Sequence, residues 1–273
     1  MKRNAARILF ATLLALFSAC QGLGKNAFTH EIRTEVVDYR AGDTELRGYL
    51  AYPVDASADK PVPGVLVVHE WWGHNDYARR RAEKLASMGY AAFALDMFGA
   101  GKLAAHPEDA MAFAEEATSD EERMVARFNA AHSVLNQKAF VNSQKTAAIG
   151  YCMGGGVVLN MVRLGADLDL VASFHGSLPT SGEFKAGKRQ TAILVYSGQD
   201  DPFVPEEKVE EFQEFFRHPS ICKLRLVLYK GVLHSFTNPE ATATGEKFGL
   251  PLKYDANADE RSWANFTEAL SKI

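Results

Sequence analysis

Several things are scarce in this chain, and each scarcity excludes something. The 273 residues hold only three cysteines, Cys20, Cys152 and Cys222, too few for a fold stapled by disulfides even in an oxidising compartment. Blocks of basic charge are absent from the body of the chain and the formal net charge is −4, so nucleic acid and anionic membrane surfaces are poor partners. No apolar run reaches the roughly 20 residues needed to cross a bilayer. Internal repeats and low-complexity segments are missing as well. The histidines do not fall at metal-ligand spacings, so neither a metal nor another cofactor is expected.

What is present is ordinary in bulk. A hydrophobic share of 47% and a charged share of 23% suit a globular protein. The length fits one large α/β domain or two small ones, with ample chain for a core. The N-terminus differs in kind from the rest. Lys2, Arg3 and Arg7 precede an apolar stretch over 8–17, followed by Ser18, Ala19 and Cys20. A charged segment, a short apolar core and small residues at a cleavage point form the pattern of an export signal. We expect a signal over 1–19, a tether over 20–32 and a folded domain over 33–273. The small residues before Cys20 are similar to the cleavage site of bacterial lipoproteins, although Phe17 stands where a leucine-like residue is usual. Lipidation of Cys20 and ordinary cleavage both stay open. The expected location is periplasmic or anchored on the periplasmic side of the outer membrane, and the expected oligomeric state is a monomer.

Along the body, strand-like and helix-like patterns alternate. Residues 33–39 and 45–52 read as two strands joined by Ala41-Gly42-Asp43, a hairpin signal. Strands are then predicted at 65–68, 90–95, 146–149, 170–174, 191–197 and 224–229. Helices are predicted at 76–88, 107–118, 119–137, 154–162 and 205–217, with a closing helix carrying Trp263, Phe266 and Leu270. This order implies a mostly parallel sheet covered by helices on both faces, with the N-terminal hairpin adding antiparallel edge strands. Right-handed crossovers then collect the loops at the strands' carboxyl ends along one edge, where chemistry is to be sought.

Four of those loops carry reactive side chains. They read His69-Glu70-Trp71-Trp72-Gly73, Gly150-Tyr151-Cys152-Met153-Gly154-Gly155, Gly198-Gln199-Asp200-Asp201-Pro202 and His234-Ser235-Phe236. A Gly-x-Cys-x-Gly-Gly turn between strand and helix is a nucleophile elbow with sulfur in place of oxygen. Its glycines keep Cβ atoms out of a crowded turn, and the helix N-terminus behind it favours a thiolate. Cys152 is therefore the expected nucleophile, where a lone cysteine would otherwise be a small buried hydrophobe. A Cys152–Cys222 bridge is disfavoured on the same ground. His234 is the expected proton carrier. The acid that orients it is Asp200 or Asp201 on the residues alone. Glu70 ends a buried strand and needs a partner there, which Arg79 could supply. For His69 a structural place is the better expectation.

Taken together, these motifs resemble the dienelactone hydrolases, a branch of the α/β-hydrolase fold with a Cys-His-Asp triad. The resemblance rests on His-Glu-Trp-Trp-Gly, Gly-Tyr-Cys-Met-Gly-Gly, Gly-Gln-Asp-Asp-Pro-Phe-Val-Pro and His-Ser-Phe-Thr-Asn-Pro in that order, and covers residues 33–273. It implies a catalytic set of Cys152, His234 and Asp201, the last picked out by the family pattern Gly-x-x-Asp-Pro. It further implies that Glu70 contacts the resting thiol and assists its deprotonation. The backbone N–H groups of Trp71 and Met153 become the oxyanion donors. Trp71, Trp72 and Tyr151 are expected to line an apolar pocket, with a place in the core the alternative for these aromatics, and His175 is placed to reach the rim. One departure matters. The family's best-known members hold a substrate carboxylate with arginines, one of them four residues after the catalytic histidine, and here that place is Asn238. Residues 107–118 hold no arginine either, which argues against dienelactone itself as substrate. The expected activity is hydrolysis of small esters or lactones through a thioester. Acyl transfer on the same elbow is the alternative enzyme, and a lipid-anchored binding protein without turnover the alternative of another class.

Overall fold

The structure is a computed structural model that describes residues 30–185, 187–218 and 221–273. The expected export signal, Cys20 and the tether up to residue 29 lie outside the described residues, as does the side chain of Cys222. Among the described residues no helix is long and apolar enough to cross a membrane.

Strands β1 (Ile32–Ala41) and β2 (Thr44–Pro53) form an antiparallel hairpin. Its two-residue turn places Gly42 at φ 56°, a left-handed conformation that costs glycine nothing sterically. Strands β3 (Val62–Val68), β4 (Ala91–Leu95), β5 (Val141–Tyr151), β6 (Leu170–Phe174), β7 (Thr191–Gly198) and β8 (Ile221–Tyr229) are parallel to their neighbours. The order across the sheet is β1-β2-β4-β3-β5-β6-β7-β8, with β2 antiparallel to β4. The expected α/β architecture is thus present, with the hairpin at one edge.

Seven helices cover the sheet among the described residues: α1 (Asp76–Ala86), α2 (Pro107–Thr118), α3 (Glu121–Asn136), α4 (Met153–Arg163), α5 (Glu206–Phe215), α6 (Ala241–Phe248) and α7 (Ala256–Leu270). Side chains of a strand alternate between faces, so the sheet has two cores. Val65, Val67, Ala147, Ile149, Leu194 and Tyr196 pack with residues of α1 and α7, including Trp263, Phe266 and Leu270. Leu66, Val68, Ala148, Ile193 and Val195 pack with Met124, Phe128 and Leu135 of α3 and with residues of α4 and α5. Each large apolar side chain so buried stabilises the fold by about 1.5–3 kcal/mol.

Helix starts follow their caps. Asn75, Asp120 and Asp255 accept hydrogen bonds from the backbone N–H groups of Tyr77, Arg123 and Ala258, filling donors that a first turn leaves open. One helix has no counterpart in the sequence reading. α6 is a two-turn element with two threonines and Gly245, stopped by Gly249 at φ 65°, and its composition reads as loop. A Cβ at Gly245 would come within 2.6 Å of the Leu252 carbonyl oxygen. The glycine therefore lets residues 250–252 cross over the helix and reach the site, where Lys253 N–H bonds the His234 carbonyl at 3.0 Å.

Candidate active site

The parallel register aligns the strand ends. Val68 pairs with Gly150, Tyr151 with Phe174, Phe174 with Tyr196, and Gly198 with Tyr229. Each strand continues into a site loop at the same edge. Cys152, between β5 and α4, has φ 53° and ψ −117°, a conformation L-residues avoid and one that persists only where the surroundings hold it. The flanking glycines explain how. A Cβ on Gly154 would sit 2.5 Å from the Val68 carbonyl oxygen, and one on Gly150 would collide with the Gly154 carbonyl. The elbow is thereby pressed against β3.

His234 lies between the sulfur and an acid. Its Nδ1 meets Asp201 Oδ2 at 2.7 Å, and the Cys152 side chain is its other polar neighbour. Burial alone would lower the imidazole pKa, but Cys152 and Asp201 together raise it to about 10. Asp201 is only 2% exposed and its second oxygen accepts the Phe203 N–H at 2.9 Å. Asp200 is exposed and accepts from the Gly231 amide, so of the two aspartates it is Asp201 that the structure places on His234. Phe203 covers the imidazole edge-on, with ring centres 5.0 Å apart.

Cys152, His234, Trp71 and Met153 line one cavity of about 290 Å³, walled by Ala114, Val204 and Leu252. No carboxylate, lysine or arginine lines it. Among the hydrogen bonds of the described residues, the amides of Trp71 and Met153 donate to no acceptor. Two unpaired N–H groups beside a cysteine sulfur and an imidazole are the arrangement that a developing oxyanion requires. The amide of Cys152 itself is engaged by the Phe174 carbonyl at 3.1 Å and by His175 Nδ1 at 3.2 Å.

Four expectations need correction. Glu70 does not contact the thiol. Its Oε1 accepts the Ser235 hydroxyl at 2.9 Å and its Oε2 accepts the Asn238 amide at 2.7 Å, because the loop after His234 offers these donors to a carboxylate that burial pushes towards protonation. Ser235 takes a strained φ of 55° to do so. Arg79 pairs with Asp76 instead. Tyr151 does not line the cavity of Cys152: it is fully buried and stacks on Phe174 at 5.0 Å, the core place that was the alternative for it, since the residue before the elbow still points into the sheet's core. His175 does not reach a rim either. It is fully buried with φ 41°, its Nδ1 holding the elbow amide and its Nε2–H donating to Thr237 Oγ1 at 2.7 Å. Trp72 lies on a second cavity, with Phe248 and Glu70, rather than on the cavity of Cys152. His69 has the structural place expected of it, its ring between the Glu70 carbonyl and the Met97 amide.

A buried chain of polar groups stands behind His175. Thr237 Oγ1 meets the Tyr77 hydroxyl at 2.6 Å, and Arg81 donates to Tyr77, to the Thr237 carbonyl and to Asp259. Burial, with the charges of His234 and Arg81, drives the His175 pKa well below the ordinary value, in keeping with a ring whose Nδ1 accepts. Sequence reasoning assigned no role to Ser235, Thr237, Phe203 or Leu252. The first three stand inside the motifs quoted above, but their backbone angles and partners are not written in composition. Leu252 arrives from a remote segment with no local signal.

Comparison with known proteins agrees with this geometry. Residues 46–273 match the dienelactone hydrolase family. Protein usf of Aquifex pyrophilus is 27% identical over 211 residues, 75% of this chain and 87% of that one. A carboxymethylenebutenolidase of Pseudomonas putida is 25% identical over 215 residues, 77% and 88% of the two chains. The crystal structure of a dienelactone hydrolase-like promiscuous phosphotriesterase from metagenomic libraries superposes with a TM-score of 0.81 at 33% identity, covering 89% of this chain and 98% of that one. The chain belongs to the dienelactone hydrolase family, and is by that membership an α/β-fold hydrolase acting on esters or lactones.

Proposed function

We propose that this chain is an exported, periplasmic hydrolase that cleaves small carboxylic esters or lactones through a thioester on Cys152. The observation that supports this reading most is the meeting of His234 with both Cys152 and Asp201 on a cavity that also presents the unpaired Trp71 and Met153 amides. In the proposed cycle the Cys152 sulfur adds to the ester carbonyl, and the oxygen's new negative charge lies on the two amides. As the tetrahedral species collapses, the C–O bond breaks and the His234 imidazolium gives its proton to the departing alkoxide. Water then gives a proton to His234 while its oxygen adds to the thioester carbonyl. Collapse of that second species releases the carboxylic acid and restores the sulfur. Asp201 keeps the imidazole in the tautomer and orientation that both steps need. The lining of this cavity suits a small uncharged acyl group, because a charged one would lose its hydration with no partner in return.

Export rests on the sequence pattern over 1–19. The reading is tested by hydrolysis of p-nitrophenyl acetate by wild type and Cys152→Ala. Loss of nearly all turnover in the variant is expected, and equal rates would overturn the mechanism.

A further inference from the structure

The third glycine of the run after Cys152 lies beyond the Gly-x-Cys-x-Gly-Gly elbow and has a partner of its own. Gly154 faces the Val68 carbonyl, and a Cβ on Gly155 would come within 2.7 Å of the Gly176 Cα. A Cβ on Gly156 would lie 2.2 Å from Ser177 Oγ and 3.2 Å from the Ser177 carbonyl oxygen. Two successive bare positions in the first turn of α4 thus let the loop after β6 settle onto the helix. Ser177 is thereby brought into the lining of the Cys152 cavity.

The rest of that cavity gives a substrate little to hold. Ala114, Met153, Phe203, Val204 and Leu252 wall it with apolar surface, and Cys152 and His234 are committed to the proposed chemistry. Two lining hydroxyls remain, on Thr118 and Ser177. The Thr118 hydroxyl donates to the Ala114 carbonyl at 2.7 Å, so its hydrogen is taken. The Ser177 hydroxyl has no hydrogen-bond partner among the described residues, and the residue is exposed in the open cavity. A substrate that fills the cavity takes this hydroxyl out of water, and a hydroxyl left unpaired there is costly. An ester with plain hydrocarbon on both sides leaves it unpaired, whereas one with a second oxygen near the carbonyl accepts its hydrogen. That oxygen has to be neutral, because no lysine or arginine lines the cavity to balance a carboxylate.

We propose that Ser177 is the polar anchor of this cavity, its hydroxyl donating to a second, neutral oxygen of the substrate that lies a few bonds from the scissile carbonyl, as in alkoxy or keto esters. The proposal rests on the ester-hydrolase reading above and narrows its substrate class. It also gives Gly156 a purpose that the elbow alone does not: a side chain there would displace the hydroxyl.

The experiment uses two pairs of esters in which an ether oxygen replaces one methylene. On the acyl side they are p-nitrophenyl 3-methoxypropanoate and p-nitrophenyl pentanoate, and on the alcohol side 2-methoxyethyl acetate and butyl acetate. The ratio of kcat/KM, ether over alkyl, is compared between wild type and Ser177→Ala, so that the intrinsic reactivity of each ester cancels. On the arm whose oxygen reaches Ser177 the ratio should fall about fivefold in the variant, the scale of one net hydrogen bond. Gly156→Ala should lower the same ratio, and it decides the question if Ser177→Ala folds poorly. Ratios that both variants leave unchanged on both arms would overturn the proposal while hydrolysis of p-nitrophenyl acetate stands. If wild type cleaves none of these esters, p-nitrophenyl acetate included, the hydrolase reading has failed. The anchor is then read from alkylation of Cys152 by N-(2-methoxyethyl)iodoacetamide against N-butyliodoacetamide. A rate ratio that drops in Ser177→Ala would support it, and an unchanged ratio would overturn it.

Discussion

The backbone N–H of Cys152 donates to His175 Nδ1 at 3.2 Å, and both residues stand in left-handed backbone, at φ 53° and 41°. The third non-glycine residue of positive φ among the described residues is Ser235, next to His234. Strain of this kind amounts to roughly 1–3 kcal/mol per residue and gathers where geometry is functionally demanding. Here it gathers on Cys152, on the residue that holds its amide, and on the neighbour of His234.

Under the proposed mechanism His175 is expected to act as a positioning residue. His175→Phe removes the acceptor of the elbow amide, and Thr237→Val removes the partner of Nε2. Both variants should lower kcat by about tenfold or more with KM within about twofold, since small misplacement of a reacting atom is costly. Iodoacetamide should alkylate Cys152 more slowly in the same proteins. A purely structural role would lower the melting temperature while leaving kcat of the folded protein unchanged, and that result would remove His175 from the account.

Gly154→Ala tests the packing beneath the elbow. The new methyl would press on the Val68 and His69 carbonyls at about 2.5 Å, so α4 must retreat from β3. Overpacking of this type destabilises by about 1–3 kcal/mol. Activity should fall further than urea stability does, because the Met153 amide moves with the helix. Wild-type kcat in this variant would show that the tight approach is not needed.

Asp201→Asn keeps the shape and removes the charge that faces His234 Nδ1. We expect kcat/KM on p-nitrophenyl acetate to drop on the order of 10³-fold, as tautomer and imidazolium are both disfavoured. Asp200→Asn, at an exposed position that contacts Gly231, should leave the rate within about twofold. Equal losses in the two variants would contradict the assignment.

Stability should decline on both sides of about pH 6.5, for opposite reasons. His234 has its pKa raised to about 10, so the folded state binds the extra proton and this contribution, full below 6.5, is lost as pH rises towards 10. His69, His74 and His175 are buried neutral, with pKa values lowered chiefly by burial, His74 to about 3. Unfolding lets them charge, so stability also falls as pH drops below 6.5. Urea midpoints across pH 4–10 check both limbs. Cys152→Ala and Asp201→Asn should each make the alkaline limb shallower, and an unchanged alkaline slope in both variants would refute the cause given for it.

The alternation of strands and helices was legible because period-2 and period-3.6 patterns write burial directly into the sequence. Val65–Val68 and the Trp263, Phe266, Leu270 stripe are instances, each lying in the core as its spacing implies. The elbow was legible because glycine is demanded where Cβ atoms would meet backbone. What was not legible depends on partners that come from elsewhere in the chain. Glu70 could have turned to the thiol, to Arg79 or to the His234 loop, and only the folded positions of Ser235 and Asn238 decide it. His175 and Tyr151 look like lining residues when read from motifs alone, yet the register of β5 and β6 points them inward. α6 was missed because its helical pattern is short and broken by the glycine that admits residues 250–252.

The most direct measurement is acid-quench mass spectrometry during the first turnover of p-nitrophenyl acetate, read beside the burst of nitrophenolate. Acetyl should appear on Cys152 in step with the burst and decay as steady state is left behind. A burst of full amplitude with residue 152 unmodified would place the covalent chemistry on another atom and contradict the account.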